Sequence, residues 1–211
     1  EGPIWSPQTQ CVTWTDITQN IFHTADFNTG ATRSFPSPSM VGAIAHTREG
    51  DYVAATQEGF ARVDIDGKFS PLHTFLAADM RMNDGKVDPV GRFWAGSLAL
   101  SFEKDRGSLY VLEKDGSYSK VIDNVTLSNG MGWSPDAKYF YYIDSIPGVL
   151  KSFEYDVENA HISNPINLNE LNKKPPDKGG FLFCLKEVYL YVTSETRRSE
   201  LKEFFSRKIS V

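Results

Sequence analysis

Glu1, Asn83, Asp84 and Asn129 are the polar residues of this chain whose types and spacing could do chemistry together. Each stands at or next to the position before a glycine, and the glycines Gly2, Gly42, Gly85 and Gly130 follow one another at intervals of 40, 43 and 45 residues. The same phase in the second interval holds Val41, which brings no donor. A carboxylate and two carboxamides, from Glu1, Asn83 and Asn129, make a donor set of oxygens alone, without imidazole or thiol. Such oxygens suit a hard divalent cation, calcium first and then magnesium or manganese. Asn-Gly and Asp-Gly pairs also serve as plain turn residues, and any one of them alone reads that way. Three at one phase of a repeat read as ligands. Arg81 stands two residues before Asn83, so strand alternation puts both on one face. A guanidinium beside a cation suits the oxygens of a polyhydroxylated or anionic substrate. The histidines His23, His46, His73 and His161 share no phase in the repeat, and no histidine-activated nucleophile is expected.

For these residues to meet, the fold must bring together segments some forty positions apart. The repeat itself supplies the means. After each marker glycine comes a turn rich in Pro, Asp or Gly and then a short strand, most clearly in RMNDGKVDPVGRFWAG (residues 81–96) and NGMGWSPDAKYFYYIDS (residues 129–145). Strands are predicted over 12–17 and 21–26, 52–56 and 59–64, 93–97 and 108–113, and 139–145 and 149–156, with Asp66-Gly67 and Asp115-Gly116 as hairpin turns. Helical periodicity is nearly absent before a single possible turn at 200–207. Four-stranded units at this period predict an all-β chain and choose a β-propeller over a sandwich. In a propeller the first strand of every blade lines the channel, so the residues that begin those strands converge at one mouth. A fifth marker, due near residue 175, is followed at once by the strand-like YLYVTS (residues 189–194). Four full blades and an abbreviated one are expected.

Composition narrows the partners. The chain has 211 residues, 40% of them hydrophobic, and carries 27 acidic and 22 basic side chains for a net charge of −5. That suffices for one domain over residues 1–211 with a sizeable core, and the scattered basic residues form no stripe for nucleic acid or an anionic membrane. No apolar run approaches the roughly 20 residues that cross a bilayer as a helix. Cys11 and Cys184 make neither a disulfide framework nor a zinc site, which favours free thiols in a reducing, cytoplasmic setting. No signal peptide is visible. The oligomeric state is not legible.

The stretches EGPIW (residues 1–5), RMNDGKVDPVGRFWAG, GSLYVLEKDG (residues 107–116), LSNGMGWSPD (residues 127–136) and YYIDS (residues 141–145) resemble the regucalcin (senescence marker protein)/gluconolactonase-like family. The resemblance covers about residues 1–177. It implies a six-bladed propeller that hydrolyses sugar lactones such as gluconolactone with a bound calcium or zinc ion. By position, Glu1 and Asn129 match two metal ligands of the family, and Arg81 and Asn83 match its substrate-binding residues, Asn83 being a ligand in some relatives.

One departure bears on activity. The family's next block opens with Pro-Asp-Gly and then supplies an aspartate that is both metal ligand and general base. Here Pro176-Asp177 opens it, but Lys178 to Phe183 contains no carboxylate. An internal deletion near 177–189 is expected, and the family's ring-closing N-terminal strand is expected to be absent. Loss of a general base costs about 100- to 10,000-fold in rate, and losing a carboxylate ligand weakens cation binding. Two readings follow: an impaired metal-dependent lactone hydrolase, or a non-catalytic calcium-binding or degenerate relative. A receptor-type interaction propeller ranks last, since no cysteine-rich module accompanies YYID (residues 141–144).

Overall fold

A computed structural model describes residues 1–171. It is all-β apart from one helical turn. The first sheet holds β1 (Ile4–Ser6), β2 (Cys11–Asp16), β3 (Ile21–Asp26) and β4 (Thr32–Pro36); the second holds β5 (Val41–His46), β6 (Tyr52–Thr56), β7 (Gly59–Val63) and β8 (Phe69–Thr74). The third holds β9 (Met80–Val87), β10 (Phe93–Ala99), β11 (Gly107–Leu112) and β12 (Tyr118–Val125). The fourth holds β13 (Ser128–Trp133), β14 (Tyr139–Asp144), β15 (Val149–Asp156) and β16 (His161–Asn167), and α1 (Leu168–Leu171) follows it. Every sheet is antiparallel and runs in sequence order from its first strand to its fourth. The first strands stand side by side, with β5 against β9 and β9 against β13. These are blades of a propeller, and the predicted strands fall within two residues of the observed bounds.

The core lies between blades. Phe22, Phe35, Ile44 and Tyr52 join the first two blades; Phe60, Met82, Phe93 and Tyr110 join the second and third; Trp94, Trp133, Phe140 and Tyr155 join the third and fourth. A middle blade is covered on both faces, so β10 and β11 are buried at every position and read as continuous apolar runs. The outer strands β8, β12 and β16 are mostly polar and exposed, and only the ladder to a neighbour defines them. The hairpin turns at Asp66-Gly67 and Asp115-Gly116 form as predicted, their glycines at φ +84° and +88°, where a side chain would be strained.

At the end of β9 the turn Asp88-Pro89-Val90-Gly91 closes with the Asp88 amide donating to the Arg92 carbonyl at 2.9 Å. The Asp88 carboxylate is wholly buried. It pairs with the Arg92 guanidinium at 2.6 Å and accepts from the Tyr155 hydroxyl at 2.7 Å and the Trp94 indole at 3.2 Å. Arg92 also donates to the Tyr155 oxygen at 2.8 Å. Burial works against the charge on Asp88, but the Arg92 amide, the Tyr155 hydroxyl and the Arg92 guanidinium outweigh it and hold the carboxyl below its ordinary pKa. This network fastens the third blade to the fourth. The expected truncation near 177–189, the strand at 189–194, the helical turn at 200–207 and Cys184 lie outside the described residues.

Candidate metal and substrate site at the channel mouth

The first strands β5, β9 and β13 each carry a β-bulge at the phase of the marker glycines, and the segment before β1 shows a comparable offset. On β1, Ile4 faces Thr13, yet three residues back Glu1 exchanges backbone hydrogen bonds with Thr15, only two residues further along β2. On β5 the register slips between Val41 and Ala43, which makes Gly42 the extra residue. On β9 the residues Asn83 and Asp84 stand opposite the single residue Gly96. On β13 the residues Asn129 and Gly130 stand opposite Ile143. An extra residue on one strand of a pair bends it and re-aims its side chain. The repeat has therefore placed the same re-aiming device at the start of the second, third and fourth blades.

The bulges also touch one another in order. The Thr15 hydroxyl donates to the Gly42 carbonyl at 3.4 Å. A Cβ on Gly42 would lie 2.3 Å from the Asn83 carbonyl oxygen, so only glycine lets β5 come this close to β9. The Asn83 side chain donates through Nδ2 to the Ser128 carbonyl at 2.7 Å, and the Gly130 amide donates to Asp84 Oδ2 at 2.7 Å. Four blades are thus laced together at one level.

Of the residues singled out in the sequence, Glu1 and Asn129 are exposed at this mouth and Arg81 is half-buried. Asn83 is only 4% exposed. Its Oδ1 accepts from Arg81 Nη1 at 2.8 Å, which confirms that the two share a face. Both ends of the Asn83 carboxamide are therefore occupied by protein, and it works as a strut as well as a candidate substrate contact. Burial lowers the Arg81 pKa, and the charge of Glu1 acts in the opposite sense, so the Glu1 carboxylate is within electrostatic reach of this guanidinium. Arg81 has no acidic partner at ion-pair distance among the described residues, which leaves donors for a ligand.

Asp84, which shares the phase of these residues but stood outside the predicted donor set, also lies here. Burial raises its carboxyl pKa, the amides of Gly130 and Gly85 pull the other way, and Glu1 raises it further. Asp84 feels the charge of Glu1 while its two oxygens accept from the Gly85 and Gly130 amides, so the exposed Glu1 and Asn129 are the side chains left open to a cation. No group of three or more His, Cys, Asp or Glu side chains is gathered as a metal site among the described residues. Carboxamides, backbone carbonyls or water complete such a sphere, and oxygens of this kind fit calcium better than zinc.

The profile of the SMP-30/Gluconolactonase/LRE-like region matches residues 1–205. The chain belongs to this family. Among members of the SMP-30/gluconolactonase family, rabbit (Oryctolagus cuniculus) regucalcin is 33% identical over 182 residues, 82% of this chain and 61% of the relative. A Bacillus subtilis (strain 168) protein named as a sugar lactone lactonase is 32% identical over 168 residues, 78% of this chain and 58% of that one. The solved structure of the calcium-binding protein regucalcin from Agrobacterium tumefaciens str. C58 shares the fold, with a TM-score of 0.75 at 23% identity over 79% of this chain and 58% of that one. The chain thus spans about 61% of the length of the regucalcins it matches. No helix among the described residues is long and apolar enough to cross a membrane.

Proposed function

We propose that this protein is a metal-dependent sugar-lactone hydrolase of the gluconolactonase/regucalcin type, with calcium as its first ion and zinc, manganese or magnesium as others it would take. The observation behind this reading is the set of bulges on β5, β9 and β13, laced together at one level, beside which Glu1, Arg81, Asp84 and Asn129 lie. In this reading Glu1 and Asn129 hold the cation through side-chain oxygens. Asn83 keeps Arg81 in place, and the free donors of Arg81 orient the ring hydroxyls and carbonyl of a lactone. The ion, when bound, polarises the lactone carbonyl. The half-buried floor of the mouth limits water around Arg81 and strengthens its hydrogen bonds. No described carboxylate is assigned as general base, and Lys178 to Phe183 offers none. A slow enzyme follows from this, and a cytoplasmic location, one domain over residues 1–211 and the shortened ring are part of the same reading.

The test is hydrolysis of gluconolactone by the purified chain with calcium, zinc or manganese, beside Asn129→Ala. Metal-stimulated turnover lost in the variant supports the reading. Calcium binding without turnover supports instead a non-catalytic calcium-binding relative, which the missing carboxylate favours. Neither binding nor turnover defeats both.

A further inference from the structure

Asp84 has no assignment, and its surroundings are particular. It belongs to the extra pair of the β9 bulge, while the group it reaches belongs to the bulge of the next blade. Oδ2 accepts from the Gly130 amide at 2.7 Å, and Oδ1 accepts from its neighbour Gly85 at 2.9 Å. Gly130 stands at φ +93°, in the left-handed region, and with Asn129 it forms the unpaired part of β13. On the other side of that part, the Ser128 carbonyl is held by the Asn83 side chain at 2.7 Å. The two peptide groups that flank Asn129 are thus each fixed by a side chain from the third blade. Asn129 itself is exposed, and no hydrogen bond restrains its side chain among the described residues.

We infer that Asp84 is a positioning residue: its carboxylate fixes the Asn129–Gly130 bulge across the blade boundary and so aims the Asn129 carboxamide at the mouth where Glu1 stands. The inference rests on the reading of that mouth as a cation site. An exposed side chain on an unpaired bulge has several rotamers and a soft backbone beneath it. Fixing the backbone removes much of that freedom before a cation arrives. Outer-sphere partners of this kind are worth about 10- to 100-fold in metal affinity.

Calcium chloride titrated into the purified chain by calorimetry is the probe, with Asp84→Asn and Asp84→Ala as variants. Asparagine keeps a side-chain oxygen for the Gly130 amide and gives up the charge; alanine gives up both. Calcium affinity is expected to fall about 10- to 100-fold in Asp84→Ala and much less in Asp84→Asn. In amide spectra of the 15N-labelled, calcium-free protein, the Gly130 resonance should move upfield in Asp84→Ala and stay near its place in Asp84→Asn. If alanine does not fold, Asp84→Ser, one atom too short to reach Gly130, takes its place. Equal calcium affinity in all three proteins overturns the inference, as does an asparagine variant as weak as alanine, since charge and not position would then be at work. A wild-type chain that binds no calcium, with the Gly130 shift behaving as expected, defeats the cation-site reading instead and leaves the strut in place.

Discussion

The two ends of β9 handle buried charge in opposite ways. At its far end, Asp88 is wholly enclosed and every strong partner is supplied by protein: Arg92, Tyr155 and Trp94. Four and seven residues earlier, Asp84 and Arg81 are part-buried, and their pKa values move in the direction that disfavours charge. One carboxylate is below its ordinary pKa and the other above, four residues apart in the chain. A site that must accept something from solution keeps incompletely satisfied groups, whereas a clasp between blades satisfies them all. On the proposed reading, the difference separates a structural end of the channel from a binding end.

That contrast can be broken most severely at Asp88. Asp88→Ala strands a buried guanidinium and should cost about 3–5 kcal/mol in denaturant unfolding at neutral pH. A loss below about 1 kcal/mol would mean that the far end is no clasp. Next comes Gly42→Ala, whose added methyl meets the Met82 and Asn83 carbonyls at 2.5 and 2.3 Å. It should cost about 1–3 kcal/mol and weaken calcium binding as well, because β5 would be pushed off the strand that carries Asp84. Unchanged calcium affinity in a folded Gly42→Ala protein would uncouple the second blade from the mouth.

Acid sharpens the comparison. The folded pKa of Asp88 lies below its unfolded value, so its contribution is present above the unfolded pKa of about 3.9 and is lost as pH falls through the depressed folded value. Asp84 has the reverse sign: its ionisation weakens the fold as pH rises through its elevated pKa. Unfolding measured from pH 7 to pH 3 should therefore decline less steeply in Asp88→Asn than in the wild type. The smallest stability effect belongs to Asn129→Ala, within about 0.5 kcal/mol because the residue is exposed. Its loss should show instead in calcium affinity and in any lactone turnover.

Much of this was legible beforehand because the signals were periodic. Marker glycines, Asp-Gly turns and aromatic strands gave the blade period and the positions of Glu1, Arg81, Asn83 and Asn129. The outer strands carried weaker signals, since their polar, exposed residues owe their form to a neighbouring ladder. The bulges were hidden for a different reason. A one-residue slip shows only against the partner strand, as when Asn83 and Asp84 share Gly96. The same limit concealed the part of Asp84, whose partner is a backbone amide 46 residues away that no side-chain pattern reports.

The aligned bulges have a consequence for how such proteins diversify. The second, third and fourth blades each present at the mouth a dipeptide, or a single residue, lying outside their own ladder. Rewriting that short segment leaves the pairing on either side intact, so Val41 can sit silent in one blade while Asn129 stays armed in another. If the mouth binds as proposed, the channel is a set of interchangeable fittings, in which ion preference and ligand taste can drift one blade at a time on an unaltered frame.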